Sequence, residues 1–382
     1  MTQSPSRLSF LDGLRGVAAV YVVLHHAMLS MPWTKYPIDL ALRELLRFGH
    51  YAVDVFIVLS GYCLMLPVLK SGAPLHVRTF LLRRTLRIIP TYYAAMLLAL
   101  ALIATLIGAP TGTNWDASVP VNSWDIAAHV LLIHDWFAST FAKINYAFWS
   151  IGVEWKIYFL FPLMLALRSK YDALRVAVVS TLIGYALWAL CCSLDVFNPN
   201  PWGSSPYYTG LFAMGMWAAD LGAREARDPE AHARTMHRFS WGFGVLVMAW
   251  SLLISFYPDQ QLLLIFGSGV MGAFSALLLV QLRAGRGAGW LTWLLTWQPT
   301  VWAGKRGYSI YLLHAPIVQL CLLYAIRPAT WLGQWAAPAM LSLTLLVTLV
   351  SAHVFHLVAE RPFHKLSQQV GKGAPAPAVQ NR

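Results

Sequence analysis

Charge is scarce in this chain: Asp, Glu, Lys and Arg make up 12% of its 382 residues against 58% hydrophobic, where a soluble globular domain carries about a quarter charged residues. That deficit excludes an ordinary soluble domain and places the chain in a membrane. Cysteine is scarce as well. The four, Cys63, Cys191, Cys192 and Cys321, all fall in apolar stretches. They show neither a disulfide framework nor zinc-ligand spacing, so they read as small buried side chains and no metal is expected. A cleavable signal peptide, a short-period repeat and a soluble domain after the last apolar stretch are not expected either. The chain therefore reads as a short inner segment (1–7), a membrane domain (8–366) and a disordered tail (367–382).

What the chain has instead is apolar length. Stretches near the roughly 20 residues needed to cross the hydrocarbon recur at 13–31, 49–69, 91–109, 146–167, 174–192, 207–222, 239–256, 262–282, 308–326 and 336–357. They predict an all-α polytopic bundle of about ten transmembrane helices. The Trp-rich stretch from Trp290 to Trp302 reads as a further span, a re-entrant piece or an interfacial helix. With the N-terminus inside, the outer segments hold only Lys35, Arg43, Arg47, Lys143 and Arg327 of the 28 basic residues, so both termini are expected in the cytoplasm. The same distribution accounts for the net charge of +12. A basic excess confined to inner loops points to lipid headgroups, and nucleic acid is not an expected partner.

Against this apolar background each ionisable group at membrane depth needs a partner, water or a function. Arg15 and His26 are eleven residues apart on the first helix, which puts them on nearly one face and roughly 16 Å apart along the axis. Asp54 lies about as deep in the second span as His26 does in the first. That makes a His26–Asp54 contact plausible, with the carboxylate orienting the ring; the alternative is a buried pair that only fixes helix packing. Glu154 shares a face with Ser150 and Tyr158 at four-residue spacing, and could bind an acceptor, join the His26 network or pair with Lys156 or an arginine.

The inner loop RTFLLRRTLRIIPTYY brings Arg83, Arg84 and Arg87 together, a set able to converge on a phosphate-rich ligand or to grip headgroups. Late in the chain GKRGYSIYLLHAP carries Tyr308, Tyr311 and His314 in three-residue steps, either as site residues or as interfacial anchors. Glu360 before Arg361 reads as a helix-ending ion pair. Trp115, Trp202, Tyr207 and Tyr208 fall in outer loops, where aromatic rings stack on glycans or anchor at the interface.

Taken in order, Leu11-Asp12-Gly13-Leu14-Arg15-Gly16 with His26, Asp54 ahead of Phe56, Ser60 and Gly61, Arg83-Arg84 with Arg87 and Pro90, Trp149-Ser150 with Val153 and Glu154, and Tyr308-Ser309 with Tyr311 and His314 resemble the acyltransferase 3 family. The likeness departs at Ile57, where the family often has a second aromatic residue, and at Trp155-Lys156, where it often continues Glu-Gln. The resemblance implies an inner-membrane O-acyltransferase that moves an acyl group, commonly acetyl from acetyl-CoA, to a hydroxyl of a glycan, lipid-linked sugar or related metabolite. Arg15, Arg83, Arg84 and Arg87 would then hold the phosphates of acyl-CoA. His26, oriented by Asp54, would act as general base or acyl carrier. Glu154, Ser150, Tyr311 and His314 would position the acceptor. Some members carry an extracytoplasmic extension that this chain does not show, leaving transfer to the membrane domain or to a separate extracytoplasmic partner. The rival reading is a secondary transporter or flippase that uses the same buried groups as a proton or substrate route.

Overall fold

A computed structural model describes residues 9–32, 34–194, 205–225, 242, 244–253 and 261–371. The inner segment 1–7, Trp202 and the expected tail from 372 onward lie outside the described residues, whereas helix continues to Gln369, past the expected start of the tail at 367. Every described element is helical. In chain order the helices are α1 (Ser9–Ser30), α2 (Pro37–Leu46), α3 (Tyr51–Ser71), α4 (Val77–Leu102), α5 (Ser123–Val130), α6 (Trp149–Tyr171), α7 (Ala173–Leu194), α8 (Tyr208–Glu225), α9 (Gly244–Leu253), α10 (Gln261–Arg283), α11 (Gly289–Thr296), α12 (Gln298–Gly304), α13 (Gly307–Cys321), α14 (Ala336–Phe355) and α15 (Arg361–Gln369). Among the described residues eight helical stretches are long and apolar enough to cross a membrane. The other two of the ten expected segments appear as α8 and α9, so the chain is an all-α polytopic bundle.

α1 runs through the middle of this bundle, packed against α3, α11, α12, α13 and α14. Its glycines make that possible: a Cβ at Gly16 would fall 2.0 Å from the Thr300 carbonyl oxygen, so the backbones of α1 and α12 touch. Small residues at such crossings replace the hydrophobic driving force that lipid removes. α3 meets α8 in the same way, with a Cβ at Gly61 falling 2.0 Å from the carbonyl oxygen of Phe212.

The Trp290–Trp302 stretch is resolved into two short helices. α11 has 8 residues and α12 has 7, about 12 Å each at 1.5 Å per residue, and they part at Trp297, just ahead of Pro299. Neither spans a bilayer. Both lean on the Arg15 end of α1, while Trp290 and Trp293 stay exposed, as interfacial anchors do.

The connection from α4 to α6 is a packed cap, not a solvated loop. Trp115 is buried and donates its indole N–H to the Ile107 carbonyl at 2.8 Å, so it is not free to stack on a glycan. Tyr207 and Tyr208 are likewise buried, at the start of α8, with their rings 4.9 Å apart. A capping box between Asn122 and Asp125 starts α5. Beyond it His129 and His134 stack at 4.0 Å, both buried. His129 Nδ1 bonds the Asp125 carbonyl at 2.8 Å and His134 Nε2 bonds that of Phe148 at 3.0 Å.

Burial pushes the His129 imidazole down to about 4, and burial together with the neighbouring His129 lowers His134 as well. A histidine held neutral in the fold contributes stability that is full above its unfolded value near 6.5 and is lost as pH falls toward the folded value. Thermal stability in detergent should therefore drop between pH 6.5 and 4. His129→Gln should flatten that slope by about 1.4 kcal/mol per pH unit, one proton's worth; an unchanged slope in this variant would contradict the assignment.

Candidate active site

A guanidinium inside a helix bundle must be met by other groups, and Arg15 is met by two. Its Nη1 lies 3.1 Å from Asp12 Oδ1 and its Nη2 lies 3.0 Å from Cys63 Sγ. The Cys63 contact ties α1 to α3, and both residues line a cavity of about 380 Å³. α3 contributes Phe56, Ser60 and Cys63 to its wall, α4 contributes Arg84 and Arg87, and α6 contributes Ser150, Glu154 and Tyr158. α13 adds Tyr308 and Tyr311, and the end of the chain adds His356, Glu360 and His364. The four-residue spacing of Ser150, Glu154 and Tyr158 does what it promised, since all three reach one cavity.

Its polar groups are held in pairs. Tyr158 donates to Glu154 and lies 3.1 Å from the Ser60 hydroxyl, while the Arg84 guanidinium stands 5.7 Å from the centre of the Tyr158 ring. Tyr311 donates to the Ala147 carbonyl at 2.8 Å, so the Ser150 hydroxyl, 2.7 Å away, donates to Tyr311. Glu360 accepts from Ser309 at 2.6 Å and lies 2.9 Å from His356 Nδ1.

Arg83 is not on this wall. It donates to the Val370 carbonyl at 3.0 and 2.8 Å, just past α15. Arg83 and Arg84 are adjacent and so point about 100° apart on the helix, whereas Arg84 and Arg87, three residues apart, share the cavity face.

His26 lies beyond the cavity. Its ring faces His314 at 5.2 Å, Tyr146 at 4.8 Å and His25 at 5.0 Å. Arg15 packs beside Gly307 at the start of α13 and His26 beside His314 further along it, so α1 and α13 run in the same sense. Tyr311 joins the two regions: it lines the cavity and its ring lies 5.5 Å from that of His314. Phe56 meets Tyr311 edge-on at 6.2 Å and lines the same end of the cavity.

Asp54 faces elsewhere. It is buried against Tyr208 of α8 and Ser268 of α10, whereas His26 has His25, His314 and Tyr146 around it. The expected His26–Asp54 contact therefore gives way to two separate sets of neighbours. The reason lies in the rotation of α3. Asp54, Val58 and Gly61 share the face that fits α8, while Val53, Phe56 and Ser60 share the cavity face.

Several residues of the site escape the sequence reading. Tyr146 precedes α6 and resembles an interfacial aromatic. Glu360 resembles half of an ion pair with Arg361 but points back to Ser309. Lys156, a possible partner of Glu154, bonds Asp135 at 2.5 Å, together with the carbonyls of Leu132 and Gly152. Asp220 is paired with Arg168 and Arg224.

With this geometry in place, comparison with known proteins identifies its class. The chain matches the model of the acyltransferase domain family over residues 8–353, and it belongs to that family. It is similar to the putative peptidoglycan O-acetyltransferase YrhL of Bacillus subtilis, 26% identical over 343 residues that cover 84% of this chain and 50% of YrhL. The peptidoglycan O-acetyltransferase OatA of Listeria monocytogenes is 24% identical, with 84% and 51% covered. The acyltransferase MdmB of Streptomyces mycarofaciens is 25% identical, with 97% and 95% covered. The chain thus spans about half the length of YrhL and OatA and nearly all of MdmB. No solved structure matches.

The Lys156–Asp135 pair has a measurable consequence. The Asp135 side chain is 2% exposed, and removing one partner of a buried ion pair costs about 3–5 kcal/mol. Lys156→Met should lower the melting temperature in detergent markedly, and adding Asp135→Asn should restore much of it. A Lys156→Met protein as stable as the parent would show that the pair holds nothing together.

Proposed function

We propose that the chain is an inner-membrane O-acyltransferase that moves an acetyl group from cytoplasmic acetyl-CoA to a hydroxyl of a glycan or related metabolite on the far side. The observation that carries this reading is the layout of one cavity: Arg15, Arg84 and Arg87 on its wall, and at another part of that wall Tyr311, whose ring leads through His314 to His26. The excess of basic residues on one side supports placing the arginine end and both termini in the cytoplasm. The names of YrhL and OatA support a glycan acceptor.

In this reaction Arg15, Arg84 and Arg87 hold the donor phosphates as charge-assisted donors. The pantetheine arm passes Phe56 and Tyr311 to bring the thioester to His26. His26 takes the proton from the acceptor hydroxyl as the C–O bond forms; the C–S bond breaks, and the same proton passes to the departing thiolate. An acyl-imidazole intermediate uses the same nitrogen. Ser60, Glu154 and Tyr158 line the donor route. Asp54 enters this reading as a group that fixes how α3 meets α8 and α10.

Membranes containing the chain should transfer label from radioactive acetyl-CoA into glycan or lipid fractions, and His26→Ala should abolish transfer. Arg87→Ala should raise the KM for acetyl-CoA about tenfold, the worth of one charge-assisted hydrogen bond, whereas Arg83→Ala should change it less than about twofold. Near-normal transfer by inserted His26→Ala protein, or equal effects at positions 83 and 87, would contradict the proposal.

A further inference from the structure

We infer that His314 is the positioning residue for His26, accepting a hydrogen bond from its Nδ1–H and so leaving the lone pair on Nε2 free for the acyl-transfer chemistry. The inference rests on the reading of His26 as base or acyl carrier. It concerns a task that reading left without a group, because Asp54 is turned toward α8 and α10.

Within the bundle His26 Nδ1 and His314 Nε2 are both buried and have no hydrogen-bond partner, an expensive state for two imidazoles unless they serve each other. Their ring centres lie 5.2 Å apart with the planes 31° from parallel, a separation that a modest rotation about χ2 converts into an N–H···N hydrogen bond. The proton inventory then fixes the direction. His314 Nδ1 lies 2.7 Å from the Tyr311 carbonyl oxygen, which can only accept, so the single proton of neutral His314 sits on Nδ1. His314 Nε2 has only a lone pair to offer. Facing His26 Nδ1, it holds the proton there and selects the tautomer with a free Nε2.

The other rings around His26 do this less well. His25 meets His26 edge-on, and its Nε2, unlike that of His314, is not a buried atom left without a partner. The Tyr146 hydroxyl is also unpartnered, but a phenol that donates to His26 Nδ1 drives the proton onto Nε2 and removes the lone pair. Tyr311 thereby gains a second role through its backbone: its side chain lines the donor cavity and its carbonyl sets the protonation of the ring behind it.

Two variants separate this from a purely structural role. His314→Gln keeps an amide oxygen near the position of Nε2, whereas the shorter side chain of His314→Asn cannot reach His26. Two readouts apply to membranes carrying each protein: transfer of label from acetyl-CoA, and the rate at which diethyl pyrocarbonate modifies His26, followed by peptide mass spectrometry. The second needs no acceptor and no turnover. His314→Asn should lower kcat about a hundredfold with the KM for acetyl-CoA within about twofold, and should slow modification of His26 about tenfold. His314→Gln should recover most of both. Tyr146→Phe should leave the modification rate within about twofold.

The inference is overturned if His314→Asn leaves both readouts near those of the parent, if Asn and Gln variants lose transfer alike while His26 reacts normally, or if Tyr146→Phe alone slows the modification. The two levels of the reading fail separately. An inactive His26→Ala beside a normal His314→Asn removes only the role of His314, while an active His26→Ala removes the function on which it rests.

Discussion

Keeping Arg15 charged inside a helix bundle constrains everything around it. A guanidinium at that position is tolerated only with acceptors close by, and the chain supplies Asp12 from the same helix and Cys63 from α3. The glycines that let α12 touch the backbone of α1 bring the crowded side of the helix to van der Waals contact. Its other side is left facing Phe56, Ser60, Arg84, Arg87 and Glu154 across open space. The cavity thus follows from a packing asymmetry: α1 is pressed against small residues on one side and held off by long polar side chains on the other.

The same helix carries His26, and the polarity between the two positions is interrupted. Ala19, Val22 and Val23 are buried in apolar clusters between them, so the open space does not follow α1 all the way along. The link runs across to α13, where Tyr311 lines the cavity and His314 faces His26. In the proposed reaction such a wall would keep water from the His26 imidazole until the donor arm reaches it, and a dry site strengthens every dipole within it.

How much of this was legible in the sequence depends on whether spacing within a single helix decided it. Arg15 and His26 on one face of α1, and Ser150, Glu154 and Tyr158 on one face of α6, follow from the pitch of a helix, and the structure keeps both alignments. Azimuth between helices was not legible. Asp54 stands in the first turn of α3, and the helix is rotated by the fit of Gly61 against Phe212, a contact between segments about 150 residues apart in the sequence. Arg83 and Arg84 are neighbours that point apart because successive positions on a helix differ by about 100°. The cap between α4 and α6 was hidden because its buried groups, Trp115, His129, His134 and Asn145, follow no period. Glu360 was hidden by its neighbour, since a Glu-Arg pair at a helix end needs no distant partner to make sense.

The central claim is that one molecule bridges the arginine end of the cavity and His26. The most direct measurement is an experimental structure of the chain in a lipid nanodisc with a non-transferable thioether analogue of acetyl-CoA. The expected result has the analogue's phosphates on Arg15, Arg84 and Arg87, its arm passing between Phe56 and Tyr311, and the carbon in place of the thioester carbonyl against the His26 ring. An analogue seated with its phosphates away from these arginines, or with its acyl end turned away from Tyr311, would contradict the claim.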